Sequence, residues 1–213
     1  MQLIIQAGVP RSGSTLVTQA LEKLFPKATV LKIHGFRDVD TAVVTYRDFR
    51  DVLVSLWRVQ KEIPLAELEQ GKQMPKSDIE HFLPVVTKYV DDINRYKSLD
   101  NVLFLKYEQF YNDYDFLFDA FEQYFNVKLN SNLKKKIKKH ISLEVNTRRA
   151  AKFPNFHSKR RHKMFARNNF RIHGLHIYSP KPGAWRDLIA PEHHELINNR
   201  LGKYLKQWGY EKA

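Results

Sequence analysis

Leu3-Ile4-Ile5-Gln6-Ala7 followed directly by Gly8-Val9-Pro10-Arg11-Ser12-Gly13-Ser14-Thr15 is the stretch that decides the fold. The first five residues are an apolar run of strand length, and the next eight are rich in Gly, Pro and Ser. Apolar residues then recur at helical spacing, at Leu16, Val17, Ala20, Leu21 and Leu24. A strand, a glycine loop and a helix in that order form the setting in which backbone N–H groups and a helix N-terminus cradle a phosphate. The spacing approaches the nucleotide loop G-x-x-x-x-G-K-[ST] with one difference: Ser14 stands at the Lys position and the cation has moved to Arg11. The first expectation is an enzyme acting on a phosphorylated nucleotide.

Outward from this loop the alternation continues. Ala28 to Ile33 and Ala42 to Tyr46 have strand length, and Val52, Leu56 and Val59 mark a helix after the second. A helical stripe runs from Asp78 to Tyr96, a strand from Asn101 to Tyr107, and an aromatic-rich helix from Asp115 to Phe125. Lys134, Lys135, Lys136, Lys138 and Lys139 surround Leu133 and Ile137 as the solvated face of another helix. Pro191 opens a last amphipathic helix, with Gly209 as its stop. Strands separated by helices pair in parallel, so the expected architecture is α/β, a mainly parallel sheet with helices on both faces. Ligands of such sheets bind beyond the carboxyl ends of the strands.

The chain has 213 residues, 43% of them hydrophobic, which suits one globular unit over 1–213. Arg148 to Arg171 holds nine Lys or Arg and little periodicity, so 148–180 is expected as a basic loop or lid inside that unit. Cysteine is absent, which removes thiol nucleophiles and disulfides and suits a reducing, cytoplasmic setting. No run reaches the length of a membrane span, and the N-terminus lacks the features of a secretion signal. The net charge of +13 points to anionic partners without choosing among them. His173, His176, His193 and His194 lack the Cys or H-E-x-x-H context of a metal site, so no metal is expected.

Pro10-Arg11-Ser12-Gly13-Ser14-Thr15 resembles the phosphosulfate loop of sulfotransferases that use 3′-phosphoadenosine 5′-phosphosulfate (PAPS). Arg47 at a strand end, with Ser55 eight positions on, is similar to the pair that contacts the 3′-phosphate in that family. Lys32-Ile33-His34 looks like the segment supplying the catalytic base, and Tyr107-Glu108 like the one bordering the adenine. Gly183-Ala184-Trp185-Arg186 resembles the family's G-x-W-[KR] element. The resemblance thus implies Pro10, Arg11, Ser12, Gly13, Ser14, Thr15, Arg47, Ser55, Tyr107, Gly183 and Trp185 as PAPS-binding residues. It implies Arg11, Lys32 and His34 as catalytic ones, with a Glu as the alternative base.

Two family features differ. Tyr178-Ser179-Pro180 replaces an R-K-G triplet that grips the 3′-phosphate, and Leu16 stands where cytosolic members often carry an adenine-stacking Trp. Arg11 and the G-V-P opening look more like the protein-tyrosine and carbohydrate enzymes. The implied acceptor is a hydroxyl-bearing molecule, with a carbohydrate, a small alcohol or an anionic compound among the candidates. Two other readings stay open. One is a P-loop nucleotide or small-molecule kinase, opposed by the missing Lys and by the lack of an Asp closing an apolar strand. The other is a polyanion or RNA binder built on Phe153, Phe156, Phe165 and Phe170 within the basic stretch, although nucleic acid is disfavoured as a partner.

Overall fold

Four short strands form one parallel sheet in a computed structural model that describes residues 2–152, 172 and 181–211. They are β1 (Leu3–Gly8), β2 (Thr29–Lys32), β3 (Ala42–Tyr46) and β4 (Val102–Lys106), in the order β2-β1-β3-β4. Register pairs Gln6 with Lys32 on one side of β1, and Ala7 with Val44 on the other. The chain leaves β1 toward β2 and returns to the far side of β1 as β3, so the order reverses at β1. The crevice of a doubly wound sheet opens at such a reversal, and the Gly8–Thr15 loop leaves β1 there.

Strand alternation divides the apolar residues between two cores. Ile5, Ala7, Ala42 and Val44 face a layer made by α2 (Phe49–Gln60), the long α4 (Lys76–Arg95), the short α9 (Trp185–Leu188) and α10 (His194–Gln207). Ile4, Val43 and Leu105 face α1 (Ser14–Leu24), α5 (Tyr107–Phe110), α6 (Tyr114–Phe125) and α7 (Ser131–Ile141). The helical stripe expected in α4 is buried at Ile79, Phe82, Leu83, Val86, Val90 and Ile93. Two helices had no clear apolar signal in the sequence: α3 (Leu65–Glu69) and α8 (Leu143–Ala150).

Three boundaries differ from expectation. Tyr107 opens α5 rather than closing a strand, because β4 ends at Lys106. Pro191–His193 forms a 3₁₀ turn, with α10 proper starting at His194. Arg148–Ala150 close α8, where Ser142 caps the first turn by accepting from Val145 N–H at 3.3 Å, so the basic stretch begins as helix rather than loop. Most of the basic stretch, its phenylalanines, Tyr178-Ser179-Pro180, His173 and His176 lie outside the described residues.

Gly8 shows how tightly the loop is tied to the sheet. A methyl group there would meet Thr45 Oγ1 at 2.2 Å and Thr45 O at 2.5 Å. Gly8→Ala is therefore expected to force β1 and β3 apart and cost about 1–3 kcal/mol of stability, as overpacking does. Urea denaturation checks this, and an unchanged midpoint would contradict it.

Candidate active site

Inside the loop, Ser12 bonds inward. Its hydroxyl lies 2.6 Å from Val9 O, 3.1 Å from Thr45 O and 2.8 Å from Thr45 Oγ1, fixing the loop on β3. Gly13 follows at φ 80°, a left-handed conformation that glycine adopts without penalty. It also needs the space, since a Cβ would lie 2.9 Å from Phe110 and Tyr107. Gly13 is the N-cap of α1, and no side chain caps the helix or places an acid in its first turn. The partial positive charge of the helix end thus faces the loop without a local anion.

Arg11 occupies the left-handed region at φ 71°, unusual for a residue with a Cβ. Its Nε donates to Ser55 Oγ at 3.0 Å, joining the loop to α2. Burial first, then the neighbouring charges of Arg58 and Arg47, push the Arg11 guanidinium down to about 10, still protonated at neutral pH. Arg47 is buried, pairs with Asp51 at 3.3 Å and donates to Lys181 O at 3.2 Å. Its guanidinium carbon stands 4.6 Å from the centre of the Tyr107 ring, while Nε is buried with no hydrogen-bond partner among the described residues.

From the other side come Lys32, the last residue of β2, and His34, in the bend just beyond it. Lys32 Nζ donates to Thr15 Oγ1 at 2.6 Å, and His34 Nδ1 lies 2.9 Å from Gly8 O. Both reach the loop although the strand ends at Lys32 and the chain bends at His34. His34 is exposed as a residue, yet the protein atoms crowded around it depress its pKa to about 4. Desolvation is the main cause and the Lys32 charge the next. A carbonyl oxygen only accepts, so neutral His34 carries its proton on Nδ1 and leaves the Nε2 lone pair available.

Gly183 and Trp185 reach the site through their backbone. Gly183 N–H donates to Asp51 Oδ2 at 2.8 Å and Trp185 N–H to Asp51 Oδ1 at 3.0 Å. The indole packs under the Arg50 guanidinium, whose carbon is 4.1 Å from the ring centre. Thus the loop, Arg47, Ser55, Tyr107, Lys32 and His34 converge, while Trp185 contributes its amide rather than its ring.

Sequence reasoning assigned no role to Asp51 or Arg58. Asp51 is fully buried, and its spacing of four from Arg47, which precedes α2, was the available signal. Arg58, also buried, lies on α2 one turn beyond Ser55 and adds a guanidinium near Arg11. Asp48 caps α2 and holds Arg50 with both oxygens, at 2.9 and 2.8 Å, so its carboxylate is committed within the protein. Glu108, beside Tyr107, accepts from Asp48 N–H at 3.0 Å and from Tyr210 OH at 2.9 Å, which ties the C-terminal residues to the base of the site.

The family model described as "Sulfotransferase domain" matches residues 36–209. Among solved structures, mouse sulfotransferase SULT7A1 complexed with PAP is similar with a TM-score of 0.69 and 16% identity, over 98% of this chain and 88% of that one. Retinol dehydratase in complex with androsterone and inactive cofactor PAP is similar with a TM-score of 0.67 and 15% identity, over 97% of this chain and 82% of that one. At these identities the likeness is one of fold. A search of curated protein sequences gives no significant match.

Proposed function

The chain belongs to the sulfotransferase family, and from that premise we propose the residues that carry out its transfer and the kind of acceptor it serves. In this reading residues 1–213 form one catalytic domain, placed in the cytoplasm on the strength of its cysteine-free composition. PAPS supplies an activated sulfuryl group to an acceptor hydroxyl, leaving adenosine 3′,5′-bisphosphate (PAP).

The residues present fit that donor. An uncapped helix N-terminus, a buried Arg47 Nε without a hydrogen-bond partner among the described residues and the gathered charges of Arg11, Lys32, Arg47 and Arg58 suit a polyanion. The loop from Pro10 to Thr15 holds the phosphosulfate, and Arg47 with Ser55 the 3′-phosphate. Tyr107 and the Gly183–Trp185 segment border the nucleotide. His34 Nε2 accepts the proton of the acceptor hydroxyl, and the low pKa keeps that nitrogen unprotonated at neutral pH. Arg11 donates to the leaving phosphate side, while Lys32 stabilises charge on the transferring oxygens. The net charge of +13 favours an anionic acceptor, with carbohydrates suited to it.

One observation carries this assignment. Arg11 of the loop, Lys32 of β2 and the neutral imidazole of His34 just beyond β2 meet at one glycine loop, each within 2.6 to 3.0 Å of a loop atom or of Ser55 on α2. The kinase reading loses ground because Asp48, two residues beyond the end of β3, is committed to Arg50.

Thermal melting discriminates the two. At a concentration near 100 Kd, PAP is expected to stabilise the protein by about 2.7 kcal/mol, or roughly 5–10 °C in a domain of this size. ATP with Mg²⁺ is expected to give a smaller shift. The reverse order would favour a kinase.

A further inference from the structure

Asp51 is the most completely enclosed acid described in the site, with no exposed surface. A carboxylate taken out of water is costly unless its lone pairs are filled. Here they are filled from two places far apart in sequence. Oδ1 accepts from Trp185 N–H at 3.0 Å, and Oδ2 accepts from Gly183 N–H at 2.8 Å while facing Arg47 Nη2 at 3.3 Å. The same Nη2 donates to Lys181 O at 3.2 Å, so Arg47 and the segment from Lys181 to Trp185 hold one another with Asp51 as the common anchor. The Tyr107 ring limits the guanidinium further, 4.6 Å from its carbon.

We propose that Asp51 is a positioning residue for recognition of the nucleotide's 3′-phosphate: one buried carboxylate sets the Arg47 guanidinium and seats the Gly183–Trp185 segment beside it. The inference rests on the reading that Arg47 contacts that phosphate. It also explains how this chain arranges Arg47 by a contact between α2 and a segment more than 130 residues later. An acid within the first turn of α2 also favours the helix dipole, but that role would be satisfied on the solvent side and requires neither amide.

The sign of the effect separates positioning from charge. Asp51 lies beside a phosphate-binding cation, so by Coulomb's law alone its removal should tighten anion binding. Positioning predicts the opposite. Asparagine at this place keeps one acceptor oxygen, presents an NH₂ toward a donor and no longer orders Arg47.

Calorimetric titration of the full chain with PAP and with adenosine 5′-phosphate, which lacks the 3′-phosphate, tests the proposal. Asp51→Asn is expected to weaken PAP binding at least about tenfold and to leave adenosine 5′-phosphate within about twofold. In an Arg47→Gln background the same change is expected to add less than about twofold, as coupled neighbours do. Asp51→Ser serves as a second variant where the Asn form does not fold. Tighter PAP binding, equal losses on both nucleotides, full additivity with Arg47→Gln, or failure of both variants to fold would each overturn the proposal. Equal affinity of the unaltered protein for the two nucleotides would overturn the underlying reading of Arg47, a result separable from all of these.

Discussion

Arg11→Ala is expected to lower kcat by about 10²- to 10³-fold, the range seen when one preorganised donor to a developing charge is removed. The fold should survive, for two reasons. Arg11 already sits at φ 71°, so Ala meets the same backbone strain rather than a new one. The bond to Ser55 at 3.0 Å is lost, and relief of repulsion from Arg58 and Arg47 offsets that loss. Arg11→Gly sharpens the test, because glycine adopts the left-handed conformation without the cost of about 1–2 kcal/mol that a Cβ brings. That variant is expected to melt no lower than the parent while being as inactive as the Ala form. Steady-state sulfation with PAPS and a mixed acceptor set, alongside thermal melting, reads both quantities. Turnover within threefold of the parent would remove Arg11 from the chemistry.

His34→Ala is the second large effect, a fall of about 10²- to 10⁴-fold in kcat, as expected for loss of a general base. Its pH behaviour is more diagnostic. The ring must be neutral to accept a proton, and burial with the Lys32 charge places its pKa at about 4 in the free protein. Hence kcat/KM should rise through about pH 4 and stay level across the range near 6.5 where an ordinary His would titrate. A bound polyanion raises the pKa of a nearby imidazole, so the acid limb of kcat should lie above that of kcat/KM. The stability linkage has the matching sign. Because the folded pKa lies below the unfolded one, the unfolded chain binds more protons between about pH 4 and 6.5, and the His34 contribution is lost as pH falls through that window. In His34→Ala both the acid limb and this slope should be absent. A limb that persists unchanged would assign the base to another group, a Glu being the alternative.

How much of this was legible in the chain alone differs from residue to residue. Lys32 and His34 could be placed on one face because strand alternation is a local rule, and both do reach the loop. Arg47 and Ser55 were recognisable as a spaced pair, but not that Ser55 would hold Arg11 or that Tyr107 would flank Arg47. Trp185 was expected to border the nucleotide, yet its ring is taken up by Arg50 and its amide faces Asp51. Helix α8 escaped because its eight residues bury only Asn146 and Ala150, too few to print a hydrophobic stripe. Arg58 carried no signal in the sequence, since nothing in a helical pattern reveals that its neighbourhood is basic.

The strand Leu3–Gly8, the turn after it and the helix from Ser14 belong to what the sequence by itself determined. Apolar periodicity, glycine placement and helix stops act over a few residues, and their energies are settled before distant parts of the chain meet. The α/β alternation and the cationic character of the loop follow from the same short-range terms. Only the tertiary structure decided the order β2-β1-β3-β4, the inward turn of Ser12, the crowding that depresses His34 and the grip of Asp51 on Gly183 and Trp185. Those depend on which groups lose water together and which buried donors find acceptors, and that pairing exists only once segments distant in sequence have packed.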